Sequence, residues 1–208
     1  MPIEGFAFAA NNFTDVTLTS GSAIKGLKLA QWFDTDATPD ALTAPSLASL
    51  TTRGDFGANL SVGSLGKAKV GGNLVGSDVR AAGSIASITA GGLRDSRVFA
   101  GVRPDEAGLP ATAADFADGS AQIKALSVKG RDLSAVADAL VAAPVIGKVS
   151  FGGVTSGNGG TPFGLAAGRI ASLRATTTAG PLSLARLDAP TDSVNDLAPR
   201  QLSKFLMR

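Results

Sequence analysis

The apolar residues of this chain fall in a short phrase that keeps returning. An aliphatic residue is followed by two small or polar residues, then by another aliphatic or small one. It reads Ile24-Lys25-Gly26-Leu27, Leu47-Ala48-Ser49-Leu50, Leu65-Gly66-Lys67-Ala68 and Ile85-Ala86-Ser87-Ile88. It returns as Ile123-Lys124-Ala125-Leu126, Ile146-Gly147-Lys148-Val149 and Ile170-Ala171-Ser172-Leu173. The starts are spaced 23, 18, 20, 38, 23 and 24 residues. The longest gap reads as two coils of about nineteen residues, with part of the second replaced by a loop.

The phrase has a constant sequel. A few residues on comes Gly, often a polar residue, then Leu or Phe, as in Gly54-Asp55-Phe56, Gly72-Asn73-Leu74 and Gly92-Leu93. A second β segment follows: Asn59-Leu60-Ser61-Val62, Asp78-Val79-Arg80-Ala81 and Arg97-Val98-Phe99-Ala100, closed by Gly63, Gly83 and Gly101. Alternation such as Leu60-Ser61-Val62 turns one face in and one out, as strands do. Glycine at the corners permits sharp bends. No segment can bury a face alone, but coils stacked about 4.8 Å apart pair every strand with its neighbours and align the aliphatics inside.

The pattern predicts an all-β protein. Its expected form is a single-stranded parallel β-helix of about seven coils, right-handed by the crossover rule, with loop insertions and a C-terminal capping helix. A β-sandwich predicts no phrase in register, and few segments hold the 3.6-residue period of a helical solenoid. One domain is expected over 1–208. Residues 1–46 form an N-terminal coil, cap and loop, 47–102 the regular coils, and 103–122 an inserted loop. Residues 123–194 form less regular coils, and 195–208 a cap helix with Leu202, Phe205 and Leu206 as its apolar face. Residues 33–46 and 152–168 read as further loops. Residues 134–143 fit either a short helix or a degenerate coil. Phe6, Phe8 and Phe13 are candidates to cover the N-terminal end.

Composition narrows the chemistry. The 208 residues are 44% hydrophobic and 17% charged, with 26 Gly, ten Phe, one Trp and no Tyr. Small apolar residues and glycine suit thin coils. The absence of Cys and His excludes disulfides, zinc–thiolate sites, Ser-His-Asp triads and imidazole acid–base chemistry. The net charge is +2, and along the sequence Lys and Arg are scattered, so no nucleic-acid footprint is expected. No apolar run approaches the roughly twenty residues of a membrane span. The N-terminus lacks the pattern of a signal peptide.

Arg53-Gly54-Asp55 spells an adhesion tripeptide, but the repeat accounts for it as a corner. Gly63-Ser64-Leu65-Gly66-Lys67 lacks the spacing of a phosphate loop. Asp34, Asp36 and Asp40 are the metal candidates: three carboxylates in a short loop could hold Ca²⁺, which takes oxygen ligands at flexible spacing. A solvated loop is the favoured reading, and no other cofactor is expected. Asp78 and Asp95, each followed two residues later by Arg, are the carboxylates that a β-helix polysaccharide lyase or hydrolase would need. An Asp–Arg ladder gives the same pattern.

The register and the loop together resemble bacterial cell-surface β-helix proteins of the large, repetitive, adhesin-like kind. The residues that carry the likeness are the runs Leu65 to Val79 and Ile85 to Val102, where an Ala-Gly-Val turn precedes a Pro/Asp/Gly loop. The likeness spans roughly residues 47–180. It implies export, an extracellular or surface location, a structural or attachment role, and membership in a longer chain. No functional residues carry over. The expected function is a non-catalytic scaffold or interaction domain that meets a protein or surface glycan through its loops or ends. The alternatives are the polysaccharide enzyme and a self-assembling, bactofilin-like scaffold.

Overall fold

The first aliphatic of each phrase is the strand-pairing partner of the first aliphatic of the next. Ile24, Leu47, Leu65, Ile85, Ile123, Ile146 and Ile170 follow one another in parallel register, each on its own strand. Leu27, Leu50, Ala68, Ile88, Leu126, Val149 and Leu173 make a second such column. All fourteen side chains are buried. Sequence phrase and register are therefore the same object, because a one-residue slip would turn these aliphatics to solvent.

The computed structural model describes residues 5–154, 164–188 and the backbone of 203–206. It is nearly all β, with mostly parallel sheets. Sheet A has nine strands: Phe6–Ala9, Ile24–Leu29, Leu47–Thr52, Leu65–Val70, Ile85–Ala90, Gln122–Val128, Val145–Phe151, Arg169–Thr177 and Gly180–Leu187. Only the last pair is antiparallel, a hairpin that closes the C-terminal edge. Sheet B is built from Asn12–Thr14 and Gln31–Phe33, then Asn73–Val75, Gly92–Arg94 and Val136–Ala137. Single bridges through Phe56 join its two parts, and Val154 extends it past Val136. Sheet C orders Thr17–Thr19, Ala41–Ala44, Asn59–Val62, Asp78–Ala81, Arg97–Ala100, Leu140–Ala142, Gly164–Ala167 and Ser203–Leu206. The chain visits A, B and C in turn and begins again.

One hydrophobic cluster runs between the sheets from Ile24 to Leu187. Its sheet-B column tapers from Phe13, Trp32 and Phe56 to Leu74, Leu93, Val136 and Val154. At the wide end the rings contact in series: Phe6 on Phe8 (5.9 Å between centroids), Phe8 on Phe13 (6.1 Å), Phe13 on Trp32 (4.8 Å) and Trp32 on Phe56 (5.6 Å). In four circuits the corner from sheet B to sheet C is turned by a left-handed residue. Asp15, Gly76, Asp95 and Asp138 fill it, with φ between 48° and 62°. Asp is among the few side chains that tolerate this region, because its short carboxylate bonds locally.

Several expectations change. The 38-residue gap is one circuit: Ile85 pairs directly with Ile123, and 103–121 is an insertion with a single 3₁₀ turn, Ala113–Asp115. The loop expected over 33–46 shrinks, because Ala41–Ala44 is a strand of sheet C. Residues 134–143 make a coil, with the 3₁₀ turn Leu133–Ala135 leading into two short strands. The expected C-terminal helix is not found at 203–206, which form a strand pairing with Gly164–Ala167. A parallel sheet edge offers backbone partners that a helix cannot use, so a strand closes it better. The rest of that segment and the loop tip at 155–163 lie outside the described residues.

Candidate functional site

The three predicted metal ligands separate. Asp40 is buried, 3% exposed, and its Oδ2 accepts the indole N–H of Trp32 at 2.7 Å. It serves the aromatic core instead of a loop site. Asp34 and Asp36 are exposed and are joined by Asp15 from the preceding circuit, one carboxylate oxygen of each lying within 4.8 Å of the others. Asp15 accepts both the backbone N–H and the hydroxyl of Thr35 (2.8 Å each), and Asp36 accepts the Thr38 N–H. The Thr35 N–H, followed by its hydroxyl, holds the Asp15 carboxyl below its ordinary pKa. These bonds explain the cluster as a loop staple. Its remaining oxygens could supply part of the six-to-eight-oxygen shell of a calcium ion. Beside it lies a groove of about 380 Å³, lined by Phe33, Val75 and the carboxylates of Asp34, Asp36 and Asp55.

The carboxylates of the enzyme reading separate as well. Asp78 pairs in register with Arg97, not with Asp95, and Asp95 sits on the left-handed corner. Asp78 is clamped by Arg80 Nε at 3.0 and 3.1 Å and by Arg97 Nη1 at 3.4 Å. An acid–base pair needs two carboxylates converging on one space; Asp78 instead organises two arginines. Arg80 then donates to the carbonyls of Arg103 (3.2 Å) and Glu106 (2.6 Å) and lies 4.9 Å from the Phe99 ring centroid.

That guanidinium pins the 103–121 insertion to the outside of sheet C. Phe99, Val102, Ala142 and Ala166 form a satellite core there, with Leu109, Phe116 and Leu140 packed against it. Gly101, at φ 68°, starts the departure, and its carbonyl accepts the N–H groups of Ala117 and Asp118. Asp115 accepts from Ala111 and Thr112, and Asp118 from Ser120. These bonds hold both carboxyls below their ordinary pKa. The insertion is thus packed as a cover on sheet C. Arg53-Gly54-Asp55 is likewise absorbed: Asp55 accepts the Asn73 N–H at 2.7 Å as a rung of the corner.

The scatter of Lys and Arg along the sequence does not survive folding. From Ile24–Leu29 to Arg169–Thr177, the second, third and fifth residues of each sheet-A phrase point outward and are only Lys, Arg, Ser, Thr, Ala or Gly. The nine strands of the sheet hold six lysines and three arginines, and no Asp or Glu. Lys28, Lys67, Lys69, Lys124 and Lys148 are exposed and make no ion pair with a described residue. Sequence reading missed them because it took the phrase for its aliphatics; the signal lay in the intervening polar positions. Comparison with protein-family models, with curated proteins and with solved structures returned no match.

Proposed function

We propose that the chain is a single-stranded, right-handed β-solenoid that serves as a non-catalytic interaction scaffold, exported to a bacterial surface or secreted. The observation that carries this reading is the unbroken register of the phrase columns from Ile24 to Ile170. Seven successive circuits of the described chain touch all three sheets, counting the bridges at Phe56 and Val154. This supports about seven coils, and the crossover rule supports right-handedness. Such a stack is a rigid ruler that presents chosen side chains at fixed intervals.

The polysaccharide-enzyme alternative loses its proposed machinery when Asp78 is held by two arginines and Asp95 serves a corner. The self-assembling alternative meets an obstacle at the C-terminal edge of sheet A. The antiparallel strand Gly180–Leu187 breaks the parallel register that a second copy would have to continue. The test is to incubate the full chain with neutral and acidic polysaccharides and to follow new reducing ends and unsaturated products. No turnover is expected. Turnover abolished by Asp78→Ala would replace the scaffold reading with the enzyme.

A further inference from the structure

We infer that the outer face of sheet A is a docking surface for a linear acidic polysaccharide, one bearing carboxylate or sulfate groups. The inference rests on the scaffold reading and names its partner.

Charge complementarity carries the argument. The fifth outward column reads Lys28, Thr51, Lys69, Thr89, Ser127, Ser150 and Arg174 in register. In the third column, Lys67 lies between Ser49 and Ser87, and Lys148 between Ala125 and Ser172. Within these columns no two cations are adjacent: hydroxyl-bearing or small residues separate Lys28 from Lys69, Lys67 from Lys148 and Lys69 from Arg174, by about two, three and four strand spacings in turn. Like charges directly opposite would destabilise the sheet; spaced this way they leave a positive field with hydrogen-bonding groups between. A polymer with an anion every few ångströms and hydroxyls between is the matching chemistry.

Two clefts give the face built subsites. One, of about 220 Å³, is lined by Lys148, Ser150, Ser172, Arg174 and Ser183 among its polar groups. The other, of about 400 Å³ at the sheet A–B corner, adds Lys129, Arg131, Ser127 and Thr176 and shares Ser150. Neither is lined by a carboxylate, whereas the groove beside sheet B has three.

The same face disfavours other polyanions. From residue 24 onward its outward positions hold no aromatic ring for base stacking, the usual platform for single strands. Among the described residues no helix or ribbon projects from it to enter a duplex groove. From residue 24 onward its described outward positions offer no large apolar side chain to insert into a lipid surface.

The test uses the full chain with heparin, which carries sulfate and carboxylate, and polygalacturonate, which carries carboxylate alone, each titrated at several salt concentrations. Both are expected to bind, with affinity falling steeply as salt rises; binding of heparin alone would assign sulfate as the anion. The variant Lys67→Ser, Lys69→Thr, Lys148→Ser copies residues already present in these columns. It should weaken binding about tenfold or more and lower the salt slope by about three. Lys67→Arg with Lys69→Arg should retain affinity. No binding of either glycan, or no effect of the triple variant, overturns the inference and leaves the scaffold reading standing. Tighter binding of DNA or of phosphatidylserine vesicles than of both glycans also overturns it. Binding followed by cleavage of the glycan supports the docking face and overturns the non-catalytic reading.

Discussion

Phe99→Ala should release the 103–121 insertion while leaving the stack intact. The ring is 1% exposed and belongs to the satellite core, whereas its neighbour Val98 faces the main core. Truncating a buried Phe costs about 3–5 kcal/mol, and losing the Arg80 contact adds about 0.5–2 kcal/mol. At about 1.4 kcal/mol per decade, local opening becomes at least two to three powers of ten more frequent. The penalty should stay local, because repeat arrays hold their stability in neighbouring interfaces and open in separate units. Hydrogen exchange read by mass spectrometry should show lost protection over 103–121 and near-native protection over 60–98. A glutamate-specific protease should then cut at Glu106, whose carbonyl Arg80 holds in the native protein. Arg80→Ala, which keeps the ring, should give a weaker version of the same pattern. Protection lost equally along the whole chain, or unchanged in the insertion, would show that the satellite is not an independent unit.

Three further outcomes are expected. A Cβ at Gly66 or Gly147 would run into the carbonyl of Ala48 or Lys124, while at Gly21 it meets nothing within 4 Å; Gly66→Ala and Gly147→Ala should each cost about 1–3 kcal/mol and lower Tm by several degrees, and Gly21→Ala should leave it unchanged. Asp40→Ala strands the buried indole N–H of the single tryptophan and should cost about 1–3 kcal/mol, whereas Asp40→Asn keeps an acceptor and most of the stability; equal losses in denaturation followed by Trp32 fluorescence would count against the bond. Asp15, Asp115 and Asp118 have depressed carboxyl pKa values in the folded chain, so their contribution is present above an unfolded value of about 3.9 and is lost as pH falls through the lower folded values. The amide protons of Thr35, Thr112 and Ser120 should follow that loss by NMR, and midpoints at or above the ordinary value would refute it.

The inner columns were legible because burial leaves little choice. Seven phrases place an aliphatic at the first position, and the pairing register follows them without exception. What failed was whatever depends on contacts between circuits. Asp40 and Asp34 are neighbours in a loop by sequence, yet one faces the indole of Trp32 and the other faces water. Asp15 joins Asp34 and Asp36 from about twenty residues away because adjacent circuits stack corner on corner. Asp95 was aligned with Asp78 on sequence, but Gly76 and Asp95 share the left-handed corner, which puts Arg97 over Asp78. The insertion read as a free loop because its apolar residues, Leu109 and Phe116, are few and far apart; their partner Phe99 lies on a strand's outer side.

The outer columns differ from the inner ones in what constrains them. An inward position must fill a fixed width between sheets, so its size is set by the side chains facing it. An outward position of sheet A carries only the cost of pairing with its two neighbours along the column. That cost is small for Ser, Thr, Lys, Ala or Gly, except where, as at Gly66 and Gly147, a Cβ would meet the carbonyl of the neighbouring strand, and it rises when charges of one sign become adjacent, to about 0.2–1 kcal/mol per pair. The fold therefore leaves the charge pattern of this face free while fixing its geometry. Sheet C is not free in this sense, because the insertion covers it and Arg80 is committed to holding that cover. The corner between B and C is committed to left-handed Asp or Gly in four circuits. In sheet A, by contrast, Lys28, Lys67, Lys69, Lys124 and Lys148 make no ion pair with a described residue, and the sheet's described strands carry nine cations and no carboxylate. Stability accounts for the spacing of those cations but not for their common sign, and the proposed anionic partner would.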